Sequence, residues 1–183
     1  MNLYHNLSPG ENPPEEINVI VDIPKGSSNK YEYNEQKGYF ELDRVLYSPL
    51  FYPFDYGFVP QTISEDGDPL DVLILTSFPT FSGCCIKARP IALLLMEDEE
   101  GIDPKIIAAP KEKVDPRFQE IQDLPNLSEH LKKEVQEFFE VVKRLEPGKF
   151  VKILGWEGKE KAKEIIQKAI SRYQTKFSES RNC

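Results

Sequence analysis

The sequence predicts an α+β fold, a small β-barrel with two C-terminal helices packed on its outside. Two observations predict it. Short segments of strand character recur from residue 17 to 109, and helical apolar spacing appears only after residue 126. Residues 1–16 are polar and contain Pro9, Pro13 and Pro14, so an irregular N-terminal arm is expected there. Ile17 to Ile23 places apolar residues at odd positions with Asn18 and Asp22 between, the pattern of a half-buried strand. Pro24 to Asn29 reads as a loop. Lys30-Tyr31-Glu32-Tyr33 alternates again, with charges on one face and tyrosines on the other, and a turn at Gly38 leads into Tyr39–Leu46 to close a hairpin.

Residues 48–60 are dense in aromatic, Pro and Gly residues, which predicts a compact loop on the core with phenol hydroxyls seeking partners. Further strands are expected at Val72–Leu75, Cys85–Leu95, Lys105–Ala109 and Val151–Trp156. Asn126 or Ser128 caps a predicted helix running to Glu146, where Pro147-Gly148 ends it. Its apolar stripe is Leu131, Val135, Phe138, Phe139, Val142 and Leu145. A second helix over about 158–174 buries Ala162, Ile165, Ile166, Ala169 and Tyr173, and residues 175–183 read as a frayed tail.

A chain of 183 residues holds one well-buried core and is short for two, so residues 1–183 read as a single domain. A net charge of −8 argues against nucleic acid or an anionic membrane as partner. No stretch reaches the ~18 apolar residues of a membrane span. Met1 to Glu16 lacks the regions of a signal peptide, and the expected location is cytoplasmic. Cys84 and Cys85 are adjacent and Cys183 is terminal, which gives neither a disulfide framework nor a C-x-x-C site. With His5 near a terminus and His130 on a helix, acid–base work falls to carboxylates, Lys or Tyr.

The stretch with most chemistry is Asp66-Gly67-Asp68-Pro69-Leu70-Asp71. Two carboxylates ~5 Å apart repel by about 3 kcal/mol at an effective dielectric near 20. Gly and Pro hold the turn, so the charges cannot swing apart, and an all-oxygen set suits a hard ion: Mg²⁺, Mn²⁺ or Ca²⁺. The alternative is a solvated acidic turn leading into a strand. An EF-hand loop counted from Asp66 fails, because its fifth, sixth and twelfth positions hold Leu70, Asp71 and Ser77. A second acidic run, Glu97 to Asp103 around Gly101, reads by itself as a solvated hairpin tip. Lys30, Arg44, Lys105 and Lys143 lie at strand ends or on a helix flank. Beside a metal cluster they would hold a phosphate-bearing anion, but spacing does not show that they converge.

Several motifs in the same order resemble a family I (soluble) inorganic pyrophosphatase of bacterial type, from about residue 9 to 173. They are DGDPLDV at 66–72, FYPFDYGFVP at 51–60, KYE at 30–32, LDR at 42–44, D-x4-D-x-K at 98–105, and FFE…K…L-x-x-GK…GW from 138 to 156. The resemblance implies a five-stranded, OB-like barrel that hydrolyses inorganic diphosphate with several Mg²⁺ ions per site, Mn²⁺ serving as a substitute. It implies that Asp66, Asp71 and Asp103 ligate two activating ions, that Asp98 joins Asp103 on an ion arriving with the substrate, and that Asp68 accepts a proton from the attacking water or orients it. Lys30, Arg44, Tyr56 and Lys143 would bind phosphate oxygens, with Glu32, Tyr52 and Lys105 in support. A homohexamer is implied as well. Two positions depart from the family pattern. Asp22 stands where Glu is common, and Val142 stands where Tyr is common, which removes one phosphate-binding hydroxyl. Rival readings are a hydrolase of nucleotides or other phosphorylated metabolites, against which the missing Walker-type loop counts, and a non-catalytic ion-binding barrel.

Overall fold

The structure, a computed structural model, describes residues 2–179. Its strands are β1 (Ile17–Ile23), β2 (Asn29–Asn34), β3 (Tyr39–Val45), β4 (Asp55–Phe58), β5 (Asp71–Ile74), β6 (Cys85–Asp98), β7 (Gly101–Pro110) and β8 (Val151–Gly158). The helices are α1 (Leu3–Asn6), α2 (Glu129–Val142) and α3 (Lys159–Glu179). One sheet runs β1-β4-β5-β7-β6-β8, and β1 also pairs with β6, so β1, β4, β5, β7 and β6 close into a five-stranded ring. β8 hangs from β6 outside the ring, and β2–β3 forms a separate two-stranded sheet. This is the expected barrel with C-terminal helices.

Closure follows from local sequence. β1 lies against β4 with Val21 opposite Gly57, and a Cβ at Gly57 would stand 1.9 Å from the Ile20 carbonyl oxygen. Any other residue there would push the two strands apart. Successive residues of β5 divide between two apolar layers, Leu73 in one and Val72 with Ile74 in the other. α2 covers the first layer with Val135, Phe138, Phe139 and Val142, and α3 covers the second with Ala162, Ile166, Ala169 and Ile170. Each fully buried Ile or Leu contributes about 1.5–3 kcal/mol.

Several expectations change. β4 falls inside the stretch expected to be a loop: all four of its residues are buried, so the polar–apolar alternation that marks a half-exposed strand is missing. β1 is buried on both faces, because Ile20 packs with Tyr4 and Phe58. α2 stops at Val142 and not at Glu146, as the chain tightens into turns in which Arg144 and Glu146 donate to the carbonyls of Val141 and Lys143. Leu145 thereby leaves the apolar stripe and is exposed. The N-terminal arm contains α1, capped by the Asn2 side chain. α3 runs through residues 175–179, where Thr175 Oγ1 donates to the Ser171 carbonyl and Phe177 packs on Tyr173 and His5. The remainder of that predicted tail, 180–183, lies outside the described residues.

Candidate active site

Six pieces of chain meet around one cavity of about 440 Å³: the end of β1, the β2–β3 hairpin, β4 with the loop before it, the 64–70 loop with the start of β5, the hairpin of β6 and β7, and the end of α2 with the turn after it. In the loop, the Asp68 amide donates to Asp66 Oδ1 at 2.9 Å and the Ser64 amide to the Asp68 carbonyl at 2.7 Å. Gly67, at φ +99°, supplies the left-handed bend between the two aspartates. Asp71 opens β5, whose parallel pairing with β7 sets Val72 against Ile106. The same register brings Lys105 beside Asp71, and its Nζ also lies 2.7 Å from Asp103 Oδ1.

Burial works against a charged Lys105, but Asp71 and Asp103 outweigh it and raise the pKa, so the ammonium stays charged. Asp103 is pushed up by burial and Asp71, against the pull of Lys105. Burial, then the charges of Asp66 and Asp71, also raise Asp68. Asp22 is raised well above the carboxylate range, first by burial and then by Asp71 and Glu32. Its Oδ1 is buried with no hydrogen-bond partner among the described residues. The phenols of Tyr52 and Tyr56 are driven up chiefly by burial, so both remain protonated donors.

Cationic side chains line the same cavity, each paired with a carboxylate. Lys30 and Arg44 face each other across the hairpin. Lys30 pairs with Glu32 and, at 3.3 Å, with Asp43, while Arg44 pairs with Asp43 and Glu146. From the end of α2, Lys143 reaches Asp98 Oδ2 at 2.7 Å and Glu99 Oε1 at 3.5 Å. Asp98 is 7% exposed, so the tip of the β6–β7 hairpin is not merely solvated. Glu99 sits at about 2: burial opposes the shift, and Lys149 and Lys143 overcome it.

Every residue singled out from the sequence lines this cavity: Asp22, Lys30, Glu32, Arg44, Tyr52, Tyr56, Asp66, Asp68, Asp71, Asp98, Asp103, Lys105 and Lys143. So does Val142, which brings an apolar side chain to it. Sequence reasoning missed Glu35, Glu99, Glu146 and Lys149 in the same cavity. A signal for Glu99 was present in the acidic run, but Glu146 looked like one more charge at a helix end.

The donor set suits a hard divalent ion. It is all carboxylate, three of its members are pushed toward protonation partly by like charges, and one buried oxygen lacks a partner. Among the described residues no three His, Cys, Asp or Glu side chains converge as a ready-made cage. Mg²⁺ does not need one, since it keeps waters and relies on one or two carboxylates plus phosphate oxygens.

The family model described as inorganic pyrophosphatase matches residues 19–174. The inorganic pyrophosphatase of Sulfolobus acidocaldarius is 52% identical over 166 residues, covering 91% of this chain and 96% of that protein. That of Aquifex pyrophilus is 47% identical over 170 residues, covering 93% and 96%. The crystal structure of inorganic pyrophosphatase from Thermus thermophilus superposes with a TM-score of 0.91 at 45% identity, covering 95% of this chain and 99% of that one.

Proposed function

The chain belongs to the inorganic pyrophosphatase family, and from that premise we propose how its residues hydrolyse inorganic diphosphate to two phosphates. The observation that carries the reading is the meeting, in one cavity, of a cluster of aspartates with Lys30, Arg44, Lys105 and Lys143. Such a site neutralises a small polyanion by ions held on the aspartates and by ammonium or guanidinium groups.

Asp66, Asp71, Asp98 and Asp103 would hold Mg²⁺, with Mn²⁺ as a substitute and several ions per site. When bound, these ions screen the charge of diphosphate and make a water more acidic. Asp68 takes the proton of the attacking water as a general base. Lys30, Arg44 and Lys143 bind phosphate oxygens after exchanging their present carboxylate partners for them, and Tyr56 adds a neutral hydroxyl donor. As the bridging P–O bond breaks, the charge appearing on the leaving oxygen falls on these same groups. Lys105 holds Asp71 and Asp103 in place, Glu32 holds Lys30, and Tyr52 packs on Tyr56 with ring centroids 5.6 Å apart. Asp22 acts through water. Water attacks directly, without a covalent intermediate, in this reading.

The same proposal covers the chain as one catalytic domain, 1–183, with a homohexameric assembly and a cytoplasmic location. Exposed Phe51, Phe78 and Phe81 support assembly, and no described helix is long and apolar enough to cross a membrane. The test is phosphate release from diphosphate with Mg²⁺, beside a panel of nucleotides and sugar phosphates. Release from diphosphate far above the panel is expected. A preparation that spares diphosphate and cleaves a nucleotide would replace this reading.

A further inference from the structure

The β2–β3 hairpin carries Lys30, Glu32 and Arg44, yet no strand ladder joins it to the barrel among the described residues. Its position therefore depends on other ties. At the open end, the Tyr52 amide donates to the Ser27 carbonyl, and Arg44 meets Glu146. At the turn end Tyr33 and Phe40 pack on the cluster of Ile20 and Phe58, and the hydrogen-bonded ties come from the N-terminal segment. Asn2 Nδ2 donates to the Glu35 carbonyl at 2.6 Å, and the Leu3 amide donates to the Tyr33 hydroxyl at 2.8 Å.

The same few residues also grip the base of the acidic loop. The Tyr4 hydroxyl donates to the Thr62 carbonyl at 2.7 Å, the Gln61 amide donates to the Tyr4 carbonyl at 3.1 Å, and Gln61 Nε2 donates to the His5 carbonyl at 2.9 Å. Thr62 Oγ1 in turn accepts the amide of Leu70, the residue before Asp71. Tyr4 is only 2% exposed, and it packs with Phe58, on which the Tyr33 ring stacks.

We propose that Asn2–His5 forms a clasp which fixes the distance between the hairpin cations and the acidic loop, making Asn2 and Tyr33 positioning residues for diphosphate. The inference rests on the proposed reading of the cavity. Lys30 and Arg44 bind the substrate from a hairpin clamped at both ends, and releasing the turn end lets both cations drift from the acidic loop. Held in register, they lose little freedom when phosphate arrives.

Two substitutions separate the clasp from the packing around it. Asn2→Asp keeps the oxygen that caps α1 through the Tyr4 and His5 amides, but loses the donor to Glu35. Tyr33→Phe keeps the ring on Phe58 and loses the acceptor for Leu3. Steady-state kinetics and hydrogen exchange are measured on the full-length protein. In each variant the Michaelis constant for diphosphate is expected to rise about three- to tenfold, roughly the loss of one hydrogen bond's positioning, with kcat within about twofold. Amides of residues 29–45 should exchange faster while those of β6 and β7 stay as in the parent. A lower melting temperature with an unchanged Michaelis constant and unchanged hairpin exchange would make these ties merely structural and overturn the proposal. If the parent protein releases no phosphate from diphosphate, the functional reading fails, and the exchange pattern alone then decides whether the clasp holds the hairpin.

Discussion

The Arg44 guanidinium meets the Glu146 carboxylate along one edge, Nε to Oε1 at 3.3 Å and Nη2 to Oε2 at 3.3 Å, joining the hairpin to the turn after α2. Glu146→Gln keeps the shape and removes the charge. Two effects then oppose each other. Arg44 gains freedom to meet phosphate, but an unheld arginine gives up about 0.5–1.5 kcal/mol of rotamer freedom on binding. A partly exposed pair contributes only about 0–1 kcal/mol, so positioning outweighs competition. The Michaelis constant for diphosphate should rise about two- to fivefold; a fall would show that Glu146 acts mainly as a rival of the substrate.

Asp68 offers a sharper test. Asp68→Asn keeps the loop's backbone bonds, since the Asp68 amide and carbonyl make them and the side chain does not. Turnover should fall by about 10²–10⁴, the range of general-base effects, in a folded protein that still binds Mg²⁺ by calorimetry. Near-parental turnover would remove Asp68 from the proton-transfer role.

Asp22 links the cavity to stability. Its folded pKa lies well above the ordinary value of about 3.9, so the folded state binds the proton more tightly than the unfolded state. That contribution is full below the unfolded value and is lost as pH climbs through the raised folded value. In metal-free protein at neutral pH, Asp22→Asn should therefore melt about 2–4 °C higher than the parent, with the gap closing toward pH 4. A gap independent of pH would mean that shape, not charge, sets the difference.

Val142 is 8% exposed and packs in the layer containing Tyr56 and Phe139 while facing the cavity. Val142→Tyr adds a donor beside Lys143. A hydrogen bond to a charged group is worth roughly 1.5–3 kcal/mol, and overpacking costs about 1–3 kcal/mol. Tighter phosphate binding is expected at some loss of melting temperature. A stable variant with unchanged phosphate affinity would show that the absent hydroxyl is immaterial in this chain.

The parts legible in the sequence were those encoded locally. Ile17–Ile23 announces itself by alternation, and the acidic turn by its crowding of charge. β4 was hidden because its four residues, Asp55 to Phe58, lie in an aromatic and proline-rich run with no polar period, whereas Asn18 and Asp22 give β1 one although it too is buried on both faces. Glu146 was hidden for a different reason: its partner Arg44 is 102 positions away, and nothing in a 183-residue string pairs them. Leu145 misled because its spacing continued the stripe past the point where the backbone tightened into turns. The end of α1 and the clasp depend on Tyr33, Thr62 and Tyr173, contacts that a polar, proline-rich arm does not advertise.

The pairing of Ile17 with Ala88 that closes the ring also orders events in time. At synthesis rates of about 5–20 residues per second, roughly 4–14 s separate the appearance of these two residues. Through that interval the first strand has no partner on one side, and its apolar row is open to any neighbouring chain. Lys143 and Lys149 come later still, so the nascent polypeptide carries its aspartates for seconds before the last lysine of the cavity emerges. Newly made chains are then most exposed to aggregation before they are fit for catalysis, and slowing translation between residues 23 and 85 should lengthen that exposure.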